Sequence, residues 1–161
     1  MLKASLRLLH PFLLATYPAL ALYVANADQI APSSMLRSWL ASLALAVLFM
    51  GLFRLAYRDA GRAAVAASLS LIAFFAYGHL YAELKQLGPL AAAVIRHRYF
   101  LPLVLGLLAL GLLWIRKLAD IAGLQRLFSA AGVALLALPL VRLAYFQVET
   151  ARLVSSAAGG E

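Results

Sequence analysis

At 161 residues, 65% hydrophobic and only 12% charged, the chain has more apolar surface than a soluble fold of this length can bury, and far less charge than the rough quarter usual in soluble domains. Its 14 basic residues against 6 acidic ones do not indicate nucleic acid, because they stand in ones, twos and threes between apolar runs rather than on one face. The absence of cysteine excludes disulfides, thiolate metal sites, iron–sulfur ligation and thioether haem attachment.

The composition specifies an all-α, polytopic integral membrane protein, and the apolar runs predict five transmembrane helices. The first covers about 8–25, behind the basic residues Lys3 and Arg7. Ala25-Asn26-Ala27 has the small-x-small pattern of a cleavage site, but the run is long for a signal peptide and is interrupted by Pro11 and Pro18. It is expected to be retained as a span kinked at Pro18. A polar loop with Asp28 and Pro32 follows.

The second span, about 36–57, is predicted to be N-capped by Ser33 or Ser34 and to carry Trp39 and Tyr57 as interfacial anchors. Arg58-Asp59-Ala60-Gly61-Arg62 reads as a tight basic turn. The third span, about 63–82, begins with the small residues Ala63 to Ser70, which permit close helix approach, and becomes aromatic at Phe74, Phe75, Tyr77 and Tyr81.

Gly88-Pro89 is a turn signal, and the apolar patch Leu90 to Ile95 is too short to span. The fourth span, about 99–115, is closed by Arg116-Lys117, and the fifth, about 127–146, contains Pro139 and Arg142. Residues 147–161 read as a flexible tail.

Positive-inside counting places Lys3, Arg7, Arg54, Arg58, Arg62, Arg116, Lys117 and Arg126 on the inner side. Arg37, Lys85, Arg96, Arg98, Arg142 and Arg152 then lie outside. The expected topology is N-terminus cytoplasmic and C-terminus outside, in a bacterial inner membrane.

With five alternating spans, the end of the third and the start of the fourth share one membrane edge. That edge gathers the candidate site residues Tyr77, His79, Tyr81, Glu83, Arg96, His97, Arg98 and Tyr99. Arginines suit phosphate, aromatics suit the interface, and a histidine can change protonation. His79 and Glu83, four residues apart on a helix, are placed to pair. The competing reading is an ordinary aromatic belt with flanking charges.

A bis-histidine haem needs two histidines at one depth within facing spans, whereas His79 and His97 lie at an edge and His10 belongs to the opposite side. No characteristic metal spacing is present, and no cofactor is predicted, pigment, quinone or haem contact being left open. Span interiors lack a central Asp, Glu or Lys, against proton-coupled transport. Nucleophile-elbow, phosphate-loop, zinc-protease and dinucleotide patterns are absent.

Leu9-His10-Pro11-Phe12, Arg58-Asp59, Phe74-Phe75-Ala76-Tyr77-Gly78-His79-Leu80-Tyr81 and Arg96-His97-Arg98-Tyr99-Phe100-Leu101-Pro102 together resemble the N-terminal membrane region of bacterial sulfatase-like membrane proteins. These belong to the alkaline-phosphatase superfamily and are similar to lipoteichoic-acid synthases. In that family a catalytic domain with a metal-bound nucleophile follows the last span on the outer face. The 161 residues contain no such domain, so the resemblance implies a membrane module without its enzyme.

The function expected is a non-catalytic structural or accessory subunit that packs against partner integral membrane subunits and anionic lipid in a larger complex, respiratory or photosynthetic among them. The alternatives are an anchor or lipid-headgroup-binding module of a sulfatase-like envelope transferase, and a small transporter or channel.

Overall fold

The computed structural model describes residues 8–27, 29 and 31–158, so Lys3, Arg7 and Asp28 lie outside it. The described residues form helices and no strand: α1 His10–Ala25, α2 Pro32–Tyr57, α3 Ala60–Gln86, the short α4 Pro89–Val94, α5 His97–Lys117 and α6 Ala122–Ala158. Four of them, α2, α3, α5 and α6, have stretches long and apolar enough to cross a membrane. At 16 residues, α1 is only about 24 Å long, against a hydrocarbon core of roughly 30 Å.

The helices are longer than their apolar runs because the connections are shorter than the polar stretches suggest. Helix α2 starts at Pro32 rather than at a serine cap, with extended Ala31 as N-cap and no side-chain cap bond. Proline's fixed φ and missing N–H suit the first helical position, where that donor has no partner anyway. Ser33 and Ser34 are therefore helical.

The basic turn reduces to two residues. Arg58 is left-handed (φ 55°), its N–H bonded to the Arg54 carbonyl at 3.0 Å, and Asp59 caps α3 by accepting the Arg62 N–H on Oδ1 at 2.7 Å. Gly88, at φ +143°, takes a backbone conformation that a side chain would oppose, and lets α4 start at Pro89. The final helix continues past Phe146 to Ala158, so the backbone does not break where the flexible tail is predicted. No strong breaker occurs between Gln147 and Ala158.

Helix α3 is the centre of the bundle. In its most apolar stretch 44% of residues are buried, against 6% in α2 and in α5 and 11% in α6, and it touches all five other helices. The reason is the small-residue run: Ala63, Ala64, Val65, Ala66, Ala67 and Ser68 are fully buried, because short side chains let four neighbours approach one backbone.

Two core layers stack along α3. One is Ala15, Ala46 and Leu71 under Phe12, Leu43, Phe49 and Phe75. The other is Val65, Ala66 and Ile115 under Phe53, Leu69, Leu112 and Phe128.

Long-range bonds set the helix directions. Tyr57 donates its hydroxyl hydrogen to the Leu112 carbonyl at 2.7 Å, and Arg62 Nη2 donates to the Leu118 carbonyl at 2.7 Å. The C-terminal ends of α2 and α5 thus meet the N-terminal end of α3, and alternating directions bring most of the basic turn residues to one end. Trp39 Nε1 donates to Thr16 Oγ1 on α1 at 3.0 Å. The polar atoms of both predicted anchors, Trp39 and Tyr57, thus bond to neighbouring helices.

Helix α5 is attached differently from the rest. Its buried or half-buried positions are Phe100, Val104, Leu108, Gly111, Leu112 and Ile115, a single stripe at helical spacing. That stripe rests chiefly on α3. Leu103, Leu107, Leu110, Leu113 and Trp114, on other faces, are each more than half exposed.

Candidate functional site

The second half of α3 and the first turn of α5 meet through the α4 connection, bringing some of the predicted site residues together. Tyr77 and Tyr81, one turn apart on α3, lie nearly parallel (16°) with ring centroids 6.3 Å apart. His97, the first residue of α5, lies flat on Tyr81, with centroids 3.8 Å apart and planes 16° from parallel. The Tyr77 hydroxyl and His97 Nδ1 share a 2.8 Å hydrogen bond. Such ring pairs contribute about 0.5–1.5 kcal/mol beyond their buried area.

Phe100 completes the cluster, 5.3 Å from Tyr77 and 5.8 Å from Tyr81. Unlike its exposed neighbours Arg98 and Tyr99, it is buried. It was absent from the predicted set, and its spacing from His97 (i, i+3) is the signal that finds it.

Cations border this box. Lys85 Nζ stands 5.3 Å above the Tyr81 ring, and the Arg98 guanidinium lies 4.6 Å over Tyr99, apart from the stack. Arg96 Nε donates back to the Ala93 carbonyl at 3.2 Å. His79 and Glu83 form neither hydrogen bond nor ion pair among the described residues, and both are exposed. An exposed i, i+4 pair is worth only about 0.3–0.5 kcal/mol, too little to hold both side chains in one geometry.

The arrangement offers aromatic faces and positive charge to a ligand at the helix ends. It pairs no carboxylate with His97, and among the described residues no three His, Cys, Asp or Glu side chains gather as metal ligands would.

A second polar contact sits inside the bundle. His10, fully buried in the first turn of α1, shares a 2.6 Å hydrogen bond through Nδ1 with Ser68 Oγ on α3 and stacks on Phe128 of α6 at 5.7 Å. His10 Nε2 is buried with no partner among the described residues. The contact with Ser68, in the N-terminal half of α3, puts His10 at the end of the bundle away from His79 and His97, as the alternation of spans predicts. The pairing with Ser68, 58 positions away, carries no local signal.

No family model matches the chain, and no curated protein or solved structure matches it either. The resemblance to sulfatase-like membrane proteins is therefore carried by the short motifs alone.

Proposed function

We propose that this protein is a non-catalytic accessory subunit of a bacterial inner-membrane assembly, one that packs against partner transmembrane helices and anionic lipid. In this reading all five apolar helices cross the membrane, with the N-terminus cytoplasmic and the C-terminus outside.

The observation that carries the reading is the attachment of α5. A helix held by one stripe, with leucines and a tryptophan open on its other faces, supplies a long apolar surface against which another helix can lie. Gly106 faces open space, so a partner backbone can come close there. Gentle-detergent purification of the full chain tests the reading. Co-elution of defined integral membrane proteins is expected, and a monomer without partners overturns it.

One observation favours a second reading, the headgroup-binding module of a sulfatase-like envelope transferase. Two of the motifs that carry the resemblance, Phe74 to Tyr81 and Arg96 to Pro102, meet through Tyr77, Tyr81, His97 and Phe100. In that reading the exposed Arg96 and Arg98 beside them hold the phosphate of an anionic lipid. The double substitution Arg96→Ala with Arg98→Ala then weakens anionic-lipid retention, and unchanged lipid co-purification removes the reading.

A further inference from the structure

At the end of the bundle away from the aromatic cluster, the C-terminal ends of α2 and α5 and the first turn of α3 enclose a cleft of about 470 Å³. Leu55, Ala56, Tyr57, Arg58, Arg62 and Arg116 line it. Three of the lining residues are arginines, and among the described residues none of them forms an ion pair. Of the nearby carboxylates, Asp59 Oδ1 caps the Arg62 N–H and Asp120 Oδ1 the Ala122 N–H, and neither forms an ion pair among the described residues.

Helix ends alone do not account for the three arginines. Arg116, in the last turn of α5, complements the negative end of that helix. Arg62 does the reverse, placing a cation in the first turn of α3, where the helix dipole is already positive. Its Nη2 is bonded to Leu118, but its Nε is buried without an acceptor. Arg58 occupies a left-handed position (φ 55°) where glycine or asparagine is the usual residue. Arg58 is thus held in an unfavourable backbone setting, beside a cation at the positive end of α3. An anion bound in the cleft would offset the positive charge that the three arginines bring together.

The surroundings favour a lipid as the source of that anion. Leu55, 80% exposed, lines the cleft, and it continues a face of α2 with the exposed Leu48 and Leu52 at helical spacing. An apolar track runs from the arginines along the span, as a headgroup with its acyl chains requires.

We propose that the Arg58–Arg62–Arg116 cleft is a phosphate site that holds the headgroup of an anionic glycerophospholipid, with an acyl chain along Leu48, Leu52 and Leu55. Planar guanidinium groups match phosphate oxygens in pairs. The inference rests on the lipid contact in the function proposed above and is independent of partner helices and of Arg96 and Arg98.

Native mass spectrometry of the full chain in mild detergent tests it, with phosphatidylglycerol, phosphatidylcholine and inorganic phosphate as probes. A single phosphatidylglycerol should be retained in preference to phosphatidylcholine. Arg58→Gln and Arg116→Gln should each lower its retention about tenfold, the loss of one charge-assisted contact. Arg37→Gln, at the far end of α2, should not.

Arg58→Gly adds a signature that a purely structural role cannot give: it should raise the melting temperature of the delipidated protein while weakening phosphatidylglycerol binding. Equal retention of the two lipids, or full retention by the Arg58 and Arg116 variants, overturns the site. Inorganic phosphate binding as tightly as phosphatidylglycerol overturns the lipid assignment. Loss of phosphatidylglycerol only on substitution of Arg96 and Arg98 overturns the cleft while supporting the edge site.

Discussion

His10 and Ser68 form a buried hydrogen bond of 2.6 Å between the first turn of α1 and the small-residue run of α3. It is the one polar tie between fully buried side chains of different helices among the described residues. Removing one partner strands the other, whereas removing both leaves an apolar contact. Ser68→Ala alone should therefore lower stability by about 1–3 kcal/mol, and the double variant His10→Phe with Ser68→Ala should recover most of it. Thermal unfolding of the four proteins in one detergent measures the cycle, and a double variant no better than the single would contradict the account.

Close approach of α1 and α6 depends on Gly132. A Cβ there would stand 2.9 Å from Leu13 Cβ, an atom that cannot turn away without moving the α1 backbone. Gly132→Ala should cost about 1–3 kcal/mol as overpacking. Gly51→Ala and Gly106→Ala, which face open space inside helices, should gain up to roughly 1 kcal/mol from helix propensity. The opposite signs are read in parallel melts.

The start of α3 depends on the Asp59 cap. Asp59→Ala removes the acceptor for the Arg62 N–H and should lower stability by about 1 kcal/mol, while Asp59→Asn or Asp59→Ser should retain most of the cap. Equal loss in all three would mean that the carboxylate acts through charge rather than through capping.

In the aromatic cluster the stack should matter more than the hydrogen bond. Tyr77→Phe removes only the exposed bond to His97 Nδ1, a loss of about 0.5 kcal/mol or less in a solvated site. His97→Ala also removes the 3.8 Å stack on Tyr81, for about 1 kcal/mol or more. The ranking is checked by urea or thermal unfolding.

How much of this was readable beforehand depends on the range of each interaction. The helical membrane class follows from the apolar runs, and the burial of Ala63 to Ser68 follows from their size. The meeting of Tyr77 and Tyr81 with His97 follows from alternating spans joined by a short connection.

Boundaries were less legible. Gly61, Arg62, Glu83 and Lys85 look like loop but belong to helix ends, and the exposed Glu83 and Lys85 reach water there without leaving the helix. The tertiary partners of His10, Trp39, Tyr57 and Arg62 were not legible at all, because each lies at least 23 positions away and pairs through helix contacts that no local pattern encodes.

In the proposed role, partner helices cover the open faces of α5. Site-specific photo-cross-linking in native membranes tests it most directly, with the probe at Leu107 or Leu110 on the open side and at Leu108 in the stripe facing α3. Adducts with another integral membrane protein are expected from Leu107 and Leu110, and internal adducts to α3 from Leu108. Lipid adducts alone from Leu107 and Leu110 would contradict it.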